Sequence, residues 1–357
     1  MRSTTGTRED HGVRPSDLAG AGEHGRLPEG NYIVTGVAGA LGRLVVQRLH
    51  REPGVHVIGI DRRVFEGKPK DVEHMRVDLR SRRAREAFRR EHVRALVHLG
   101  IMHDPRQSPE VHHQWNILGT QRLLEWCERY NVPKVVVLSS ADVYGPSPTN
   151  PQLLTEDAPL LAGQRFPAMG DLVALDMLAS SFFWKRQETE TVVLRPVHIL
   201  GSVRNGPSEY FRLPVVPTLL GYDPMMQVIH ERDVVEAIVC ALVPGVRGIF
   251  NVAGPGAVPL SVILRELGCP RVALPAPLAR AMLATLFTAG ATSFPPPELE
   301  YLRGVCMVDD SRARSVLGFR PRYSLRETIR AVGRDAALQG ARTCGRPGSS
   351  TEKHGGL

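Results

Sequence analysis

The residues best placed to do chemistry form one short run, Thr35-Gly36-Val37-Ala38-Gly39-Ala40-Leu41-Gly42. It follows the apolar Tyr32-Ile33-Val34 and opens the helical stretch Arg43-Leu44-Val45-Val46-Gln47-Arg48-Leu49. Between a strand and a helix each glycine has a task. Gly36 permits the tight turn, Gly39 lets the backbone approach a pyrophosphate, and Gly42 lets the helix pack close to the strand. The helix amino terminus then turns free N–H groups and a positive dipole end toward phosphates. Asp61 lies 19 residues beyond Gly42. A carboxylate there accepts hydrogen bonds from both adenosine ribose hydroxyls and repels a 2′-phosphate, which favours NAD over NADP. Arg62 and Arg63 follow at once and weaken that preference.

These residues need a scaffold, and the pattern from residue 30 onward supplies one. Strands are expected at Tyr32–Gly36, His56–Asp61, Met75–Val77, Ala95–Gly100, Lys134–Ser140 and Thr191–Arg195. Helices are expected at Gly39–Arg51, Ser81–Arg90, Pro109–Tyr130 and about Ala168–Arg186. Short apolar runs such as Val135-Val136-Val137-Leu138 suit strands buried on both faces. The expected fold is α/β, a Rossmann doubly wound parallel sheet with a smaller C-terminal substrate lobe. The expected division is a disordered tail over 1–29, an NAD-binding domain over 30–200, a substrate lobe over 201–338 with some segments interleaved with the first domain, and a disordered tail over 339–357.

With Asp78-Leu79, Asn116-Ile117-Leu118-Gly119-Thr120 and Ser139-Ser140-Ala141-Asp142-Val143-Tyr144-Gly145, the glycine run and Asp61 resemble one family. It is the extended short-chain dehydrogenase/reductases, in the NAD-dependent epimerase/dehydratase branch that includes UDP-glucose 4-epimerase. The resemblance spans about residues 31–335. It implies that Asp78 and Leu79 contact adenine, that Leu99 and Gly100 line the dinucleotide, and that Asn116 sits in the helix under the site. Ala40, Leu41, Arg62, Ser139 and Pro196 complete the expected cofactor contacts. Ser140 matches the family's catalytic serine, and Asp142, Val143, His198 and His230 are expected on the substrate side.

The same resemblance exposes a departure. The family's chemistry uses a Tyr, with a Lys four residues later on one helix face. The phenolate moves the substrate's hydroxyl proton, and the Lys charge lowers its pKa. Met169 stands at the Tyr position and Val173 at the Lys position, and no Tyr lies between Tyr144 and Tyr210. Tyr130 and Lys134 have the right spacing, but Pro133 lies between them and they span the turn before a strand, so they cannot share a helix face. His198 replaces an Asn that often contacts a nucleotide-sugar, and Met226 an Arg that often grips a diphosphate. Asp142, Asp171, Asp176, His198 and His230 are candidates for a substitute acid or base, His198 and Asp171 foremost.

Composition narrows the remaining classes. The net charge is +8, and 40 of the 45 basic residues are Arg. The densest run, Arg80 to Arg94, carries Ala84, Ala87 and Phe88 at helical spacing, so it reads as a helix with a buried face and no nucleic-acid partner is expected. The five cysteines are scattered and odd in number, which suits a reducing compartment and the cytoplasm. His112-His113, with His103 nearby, lacks metal-ligand spacing, so no metal is expected. No stretch has the roughly 18 apolar residues needed to span a bilayer. An apolar helix is expected near Leu278–Phe287, packed on its own lobe, on a second subunit, flanking an apolar substrate, or resting on a membrane.

Three functional readings remain. The first is an NAD-dependent epimerase, dehydratase or dehydrogenase of a sugar nucleotide or related polar substrate, acting by transient hydride transfer. The second is a catalytically inactive NAD-binding sensor or scaffold. The third is a reductase or isomerase of an apolar alcohol or ketone. The resemblance also implies a homodimer through helices Pro109–Tyr130 and Ala168–Arg186.

Overall fold

The computed structural model describes residues 26–332, except 103, 167, 168 and 305. The remainder of both expected tails lies outside the described residues. The chain begins with β1 (Gly30–Thr35), α1 (Ala40–Leu49), β2 (Val55–Ile60), β3 (Glu73–Met75) and β4 (Val93–His98). There follow α2 (Pro109–His113), α3 (Gly119–Arg129), β5 (Lys134–Leu138), α4 (Ala162–Arg165), α5 (Gly170–Lys185) and β6 (Glu190–Pro196). The later segments are β7 (His198–Leu200), α6 (Gly206–Tyr210), β8 (Val216–Leu219), β9 (Met225–Met226), β10 (Val228–His230) and α7 (Glu231–Ala241). Last come β11 (Gly248–Val252), β12 (Val258–Pro259), α8 (Leu260–Leu267), β13 (Arg271–Leu274), α9 (Ala276–Thr288) and α10 (Ser311–Val316).

Seven of these strands form one parallel sheet in the order β11-β6-β5-β4-β1-β2-β3. Its alternating residues feed two layers. Tyr32, Val34, Val97, Val136 and Leu194 pack with α1 and α7, whereas Ile33, Leu96, Val135, Val137 and Val193 pack with α3 and α5. Both faces are therefore dry, which explains the unbroken apolar strands. The strand order reverses between β1 and β4, and a ligand crevice belongs outside the carboxyl ends at that point.

Three local expectations change. Ser81–Arg90 is not an α-helix but a 3-10 turn over Ala84–Arg89; it still buries Ala84, Ala87 and Phe88, because one tight turn suffices to lay those three on the sheet. The seventh strand, β11, is not among the expected strands; Ile249, Phe250 and Val252, one of the interleaved segments within 201–338, return to extend the sheet beside β6. Residues 26–29 are ordered: Leu27 is buried, and the Pro28 carbonyl accepts from Tyr32 Oη at 2.7 Å. Pro109–Tyr130 runs as α2, a π-helical turn over Gln114–Leu118, and α3. A separate core of Tyr210, Phe211, Leu260, Leu283 and Leu299 holds the later segments together. Among the described residues no helix is long and apolar enough to cross a membrane.

Candidate functional site

The crevice is present as a single cleft of about 790 Å³, lined at one end by Gly36, Gly39, Ala40, Leu41 and Gly42. Gly36 has φ +74°, a conformation a side chain would strain. A Cβ on Gly42 would collide with the Gly36 carbonyl oxygen, so only glycine lets α1 start this close to the turn. The cradle fits a dinucleotide pyrophosphate: its backbone is bare, and α1 opens onto it without an acidic residue in its first turn.

Asp61 lies at the next strand end. Its Oδ2 accepts from Ala38 N at 3.1 Å and from Arg63 Nη2 at 3.1 Å, and its Oδ1 from Arg63 N and Nε at 2.9 and 3.2 Å. Burial pushes the carboxyl pKa up, but these Arg63 and Ala38 contacts outweigh it and hold the group below its usual range. Arg62 lies over the Trp115 ring at 5.0 Å, with Arg80 5.4 Å from the same ring. Trp115 lines the cleft and donates from Nε1 to the Gly100 carbonyl at 2.6 Å.

The floor is fixed by a buried relay. Thr120 Oγ1 donates to the Asn116 carbonyl, so it accepts from His98 Nε2 at 2.9 Å. Thr35 Oγ1 accepts from Leu99 N and Gly100 N, both at 3.1 Å, and donates to His98 Nδ1 at 2.7 Å. The neutral imidazole thereby sets the backbone of Leu99 and Gly100 along the cleft.

At the far end the cleft meets Ser139, Ser140, Asp142, Pro196 and His198. Ser140 Oγ donates to Asp142 Oδ2 at 3.0 Å and accepts from Asp142 N at 3.1 Å. His198 Nδ1 is 3.6 Å from Asp142 Oδ1, and like Ser139 Oγ it is buried without a hydrogen-bond partner. These two polar atoms leave hydrogen-bonding capacity open to a ligand or to water in the cleft. Met169 and Leu172 line the cleft, whereas Val173 is buried in the sheet's core.

Arg62, Leu79, Leu99 and Gly100 also line the cleft, but other expected contacts lie off it. Asp78 turns to Arg80, 2.7 Å from its Nη2. Asn116 holds Met102 by both N and O, at 2.8 and 3.1 Å, and so braces the loop rather than lining the cleft. Val143 is fully buried in the core, because the 3-10 turn over Ala141–Tyr144 points it inward. Asp171 faces His113 at 3.5 Å. His230 caps α7, accepting from Arg232 N at 3.1 Å, and stacks on Tyr323. Asp176 pairs with Arg195 in the interior. Lys134 starts the interior strand β5, at the amino ends of the strands and away from the cleft, bound to Glu190.

The sequence did not single out Trp115, Arg204, Glu298 or Tyr301, all of which border the cleft or the small chamber beside it. Trp115 adjoins the Asn116 motif, but Glu298 and Tyr301 arrive from an irregular 3-10 segment, Pro296–Arg303, whose Pro-rich sequence carries no periodicity. Tyr301 Oη donates to the Asp142 carbonyl at 3.2 Å.

A sequence model of the NAD dependent epimerase/dehydratase family matches residues 32–253. The chain belongs to that family. An uncharacterized protein of Mycobacterium tuberculosis is 28% identical over 323 residues, covering 86% of this chain and 84% of the relative. UDP-glucose 4-epimerase of Bacillus subtilis is 29% identical over 188 residues, 49% of this chain and 54% of that enzyme. The fold is that of solved family structures. UDP-glucose 4-epimerase of Thermotoga maritima with UDP-glucose superposes with a TM-score of 0.68 at 18% identity, over 87% of this chain and 99% of that one. UDP-glucuronic acid 4-epimerase of Bacillus cereus with UDP-glucuronic acid and NAD gives 0.67 at 17% identity, over 87% and 100%.

Proposed function

We propose that this family member binds NAD(H) and acts as an oxidoreductase on a hydroxyl or carbonyl group of a sugar nucleotide or related polar substrate. The observation that carries the reading is the unbroken cleft from the glycine cradle to Ser140, Asp142 and His198. When bound, the nicotinamide supplies hydride acceptance or donation. The turn over 36–42 holds the pyrophosphate, and Asp61, with Arg62 beside it, meets the adenosine ribose once Arg63 is displaced. Leu79, Leu99, Gly100 and Pro196 wall the dinucleotide. Ser140, whose hydroxyl proton rests on Asp142 until a ligand arrives, turns it to the reacting oxygen, and His198 offers Nδ1 to a substrate polar group. Met169 can move no proton, so it only shapes the space.

Two observations support other readings. Met169 and Val173 at the family's Tyr and Lys positions suit a cofactor-holding sensor or scaffold. Phe211, Met226, Phe294 and Leu302 give the side chamber an apolar wall, which suits an apolar alcohol or ketone. The test is to add NAD to purified protein, then UDP-glucose or UDP-glucuronic acid, and follow reduced-nicotinamide absorbance. Cycling that disappears in Ser140→Ala supports the oxidoreductase. Tight binding with no change across a broad panel, hydrophobic ketones included, leaves the sensor.

A further inference from the structure

Where the family pattern puts its tyrosine, at the start of α5, this chain has Met169, yet a carboxyl enters the same space from the other lobe. Glu298 lines the main cleft and also the side chamber of about 40 Å³ that it shares with Met169, Asp142 and His198. Its Oε2 lies against Gly206, where any Cβ would overlap it, so the glycine at the start of α6 makes the room. Among the described residues no cation pairs with it. Burial and the nearby Asp142 push its pKa up to about 8. At neutral pH it is mostly a carboxylic acid, able to give a proton.

We propose that Glu298 is the acid–base group of this site, exchanging a proton with the reacting oxygen of the substrate from the side of the missing tyrosine. In the reducing direction the carbonyl carbon receives two electrons and a hydrogen from a reduced nicotinamide dinucleotide. The carbonyl C=O π bond opens, and the oxygen takes the proton from Glu298. That leaves an alcohol, the oxidised dinucleotide and a carboxylate, which is reprotonated by water through the cleft. Oxidation runs the same steps backward, with the carboxylate taking the hydroxyl proton. Reduction is thus favoured at neutral pH and oxidation above about pH 8. Asp142, His198, Tyr210 and Tyr301 face Glu298 in the chamber, and Glu209 lies beside it in the cleft with Arg204 and Arg212 in attendance.

The inference rests on the oxidoreductase reading above, and its test separates the two. NAD⁺ and NADH complexes of the wild-type chain and of Glu298→Gln are titrated by infrared difference spectroscopy. A carboxyl band lost in Glu298→Gln should titrate near pH 8, with a lower midpoint in the NAD⁺ complex, because the positive nicotinamide favours the carboxylate. Midpoints that ignore the cofactor's redox state place Glu298 away from the reacting centre and overturn the proposal. With a substrate that cycles, Glu298→Gln should keep cofactor affinity, slow hydride transfer by about 10²-fold or more, and lose the inflection near pH 8. Wild-type rates in Glu298→Gln overturn the proposal while leaving the oxidoreductase intact. A chain that binds no NAD(H) overturns both. Gly206→Ala, which displaces the carboxyl without removing it, should reproduce the loss in part.

Discussion

The Arg63 guanidinium lies across the Asp61 carboxylate, with Nε 3.2 Å from Oδ1 and Nη2 3.1 Å from Oδ2. Both oxygens are engaged before a ribose arrives, and the guanidinium comes within 3.6 Å of where a Cβ on Gly39 would sit. A ribose diol must displace this side chain, whereas a 2′-phosphate would be drawn to it. Arg63→Ala should therefore tighten NADH binding by about tenfold, or about 1.4 kcal/mol, and weaken NADPH binding. Fluorescence titration with both cofactors checks this. An equal change for the two would show that Arg63 does not read the ribose.

His98 gives the scaffold a pH dependence of known sign. Burial lowers its pKa from 6.5 to about 4, and its Nδ1 is committed as an acceptor from Thr35. The unfolded chain binds this proton more readily than the folded one. The stabilisation is thus complete above pH 6.5 and is lost as pH falls toward 4, by roughly 3 kcal/mol in all. Denaturant melts of the wild-type chain across that range should show the loss, and His98→Gln should flatten it at the cost of lower stability at pH 7. An unchanged slope would assign the acid sensitivity elsewhere.

The sheet and the cradle were legible because their signals are local. A strand, three glycines and a helix fit within one βα unit, and the run Val135-Val136-Val137-Leu138 can only be buried on both faces. The substrate end was less legible because it is assembled across the fold. Glu298 and Asp142 are far apart in sequence and border one chamber only because the lobe packs over the sheet. His230 and Val143 carry the right motifs, yet one caps a helix and the other fills the core, and no spacing rule separates those outcomes from a site role. The strand β11 was missed because it comes after the lobe has begun.

The outer face of α5 is unusually apolar. Trp184 is 69% exposed and Met177 60%, and Leu118 and Val111 on the neighbouring turns are exposed as well. Exposed apolar side chains along α5 and on the turns beside it suit burial against a second copy of the chain, as the family resemblance implies. Light scattering should give a dimer mass for the wild-type chain and a monomer for the double variant Met177→Arg, Trp184→Glu, with NADH affinity retained. A wild-type monomer at micromolar concentration would remove the dimer from the account.

Asp176, a candidate base from sequence, belongs to a different structure. Its Oδ1 and Oδ2 receive Arg195 Nη2 and Nε at 2.6 and 2.9 Å, and both side chains are essentially inaccessible to solvent. Arg195 Nη1 also donates to Tyr144 Oη at 2.8 Å and to the Glu156 carbonyl at 3.0 Å, so the pair ties α5 and β6 to the turn that carries Ser140 and Asp142. Removing one partner leaves a buried charge unmatched. Asp176→Asn should cost about 3–5 kcal/mol, read as a lowered denaturation midpoint. Replacing both, with Asp176→Leu and Arg195→Met, should recover part of that loss because the desolvation cost of the charges goes with them. If Asp176 were the base, the double variant would fold and bind NADH yet lose all hydride transfer. We expect instead that whatever transfer the wild-type chain shows follows the folded fraction in each variant.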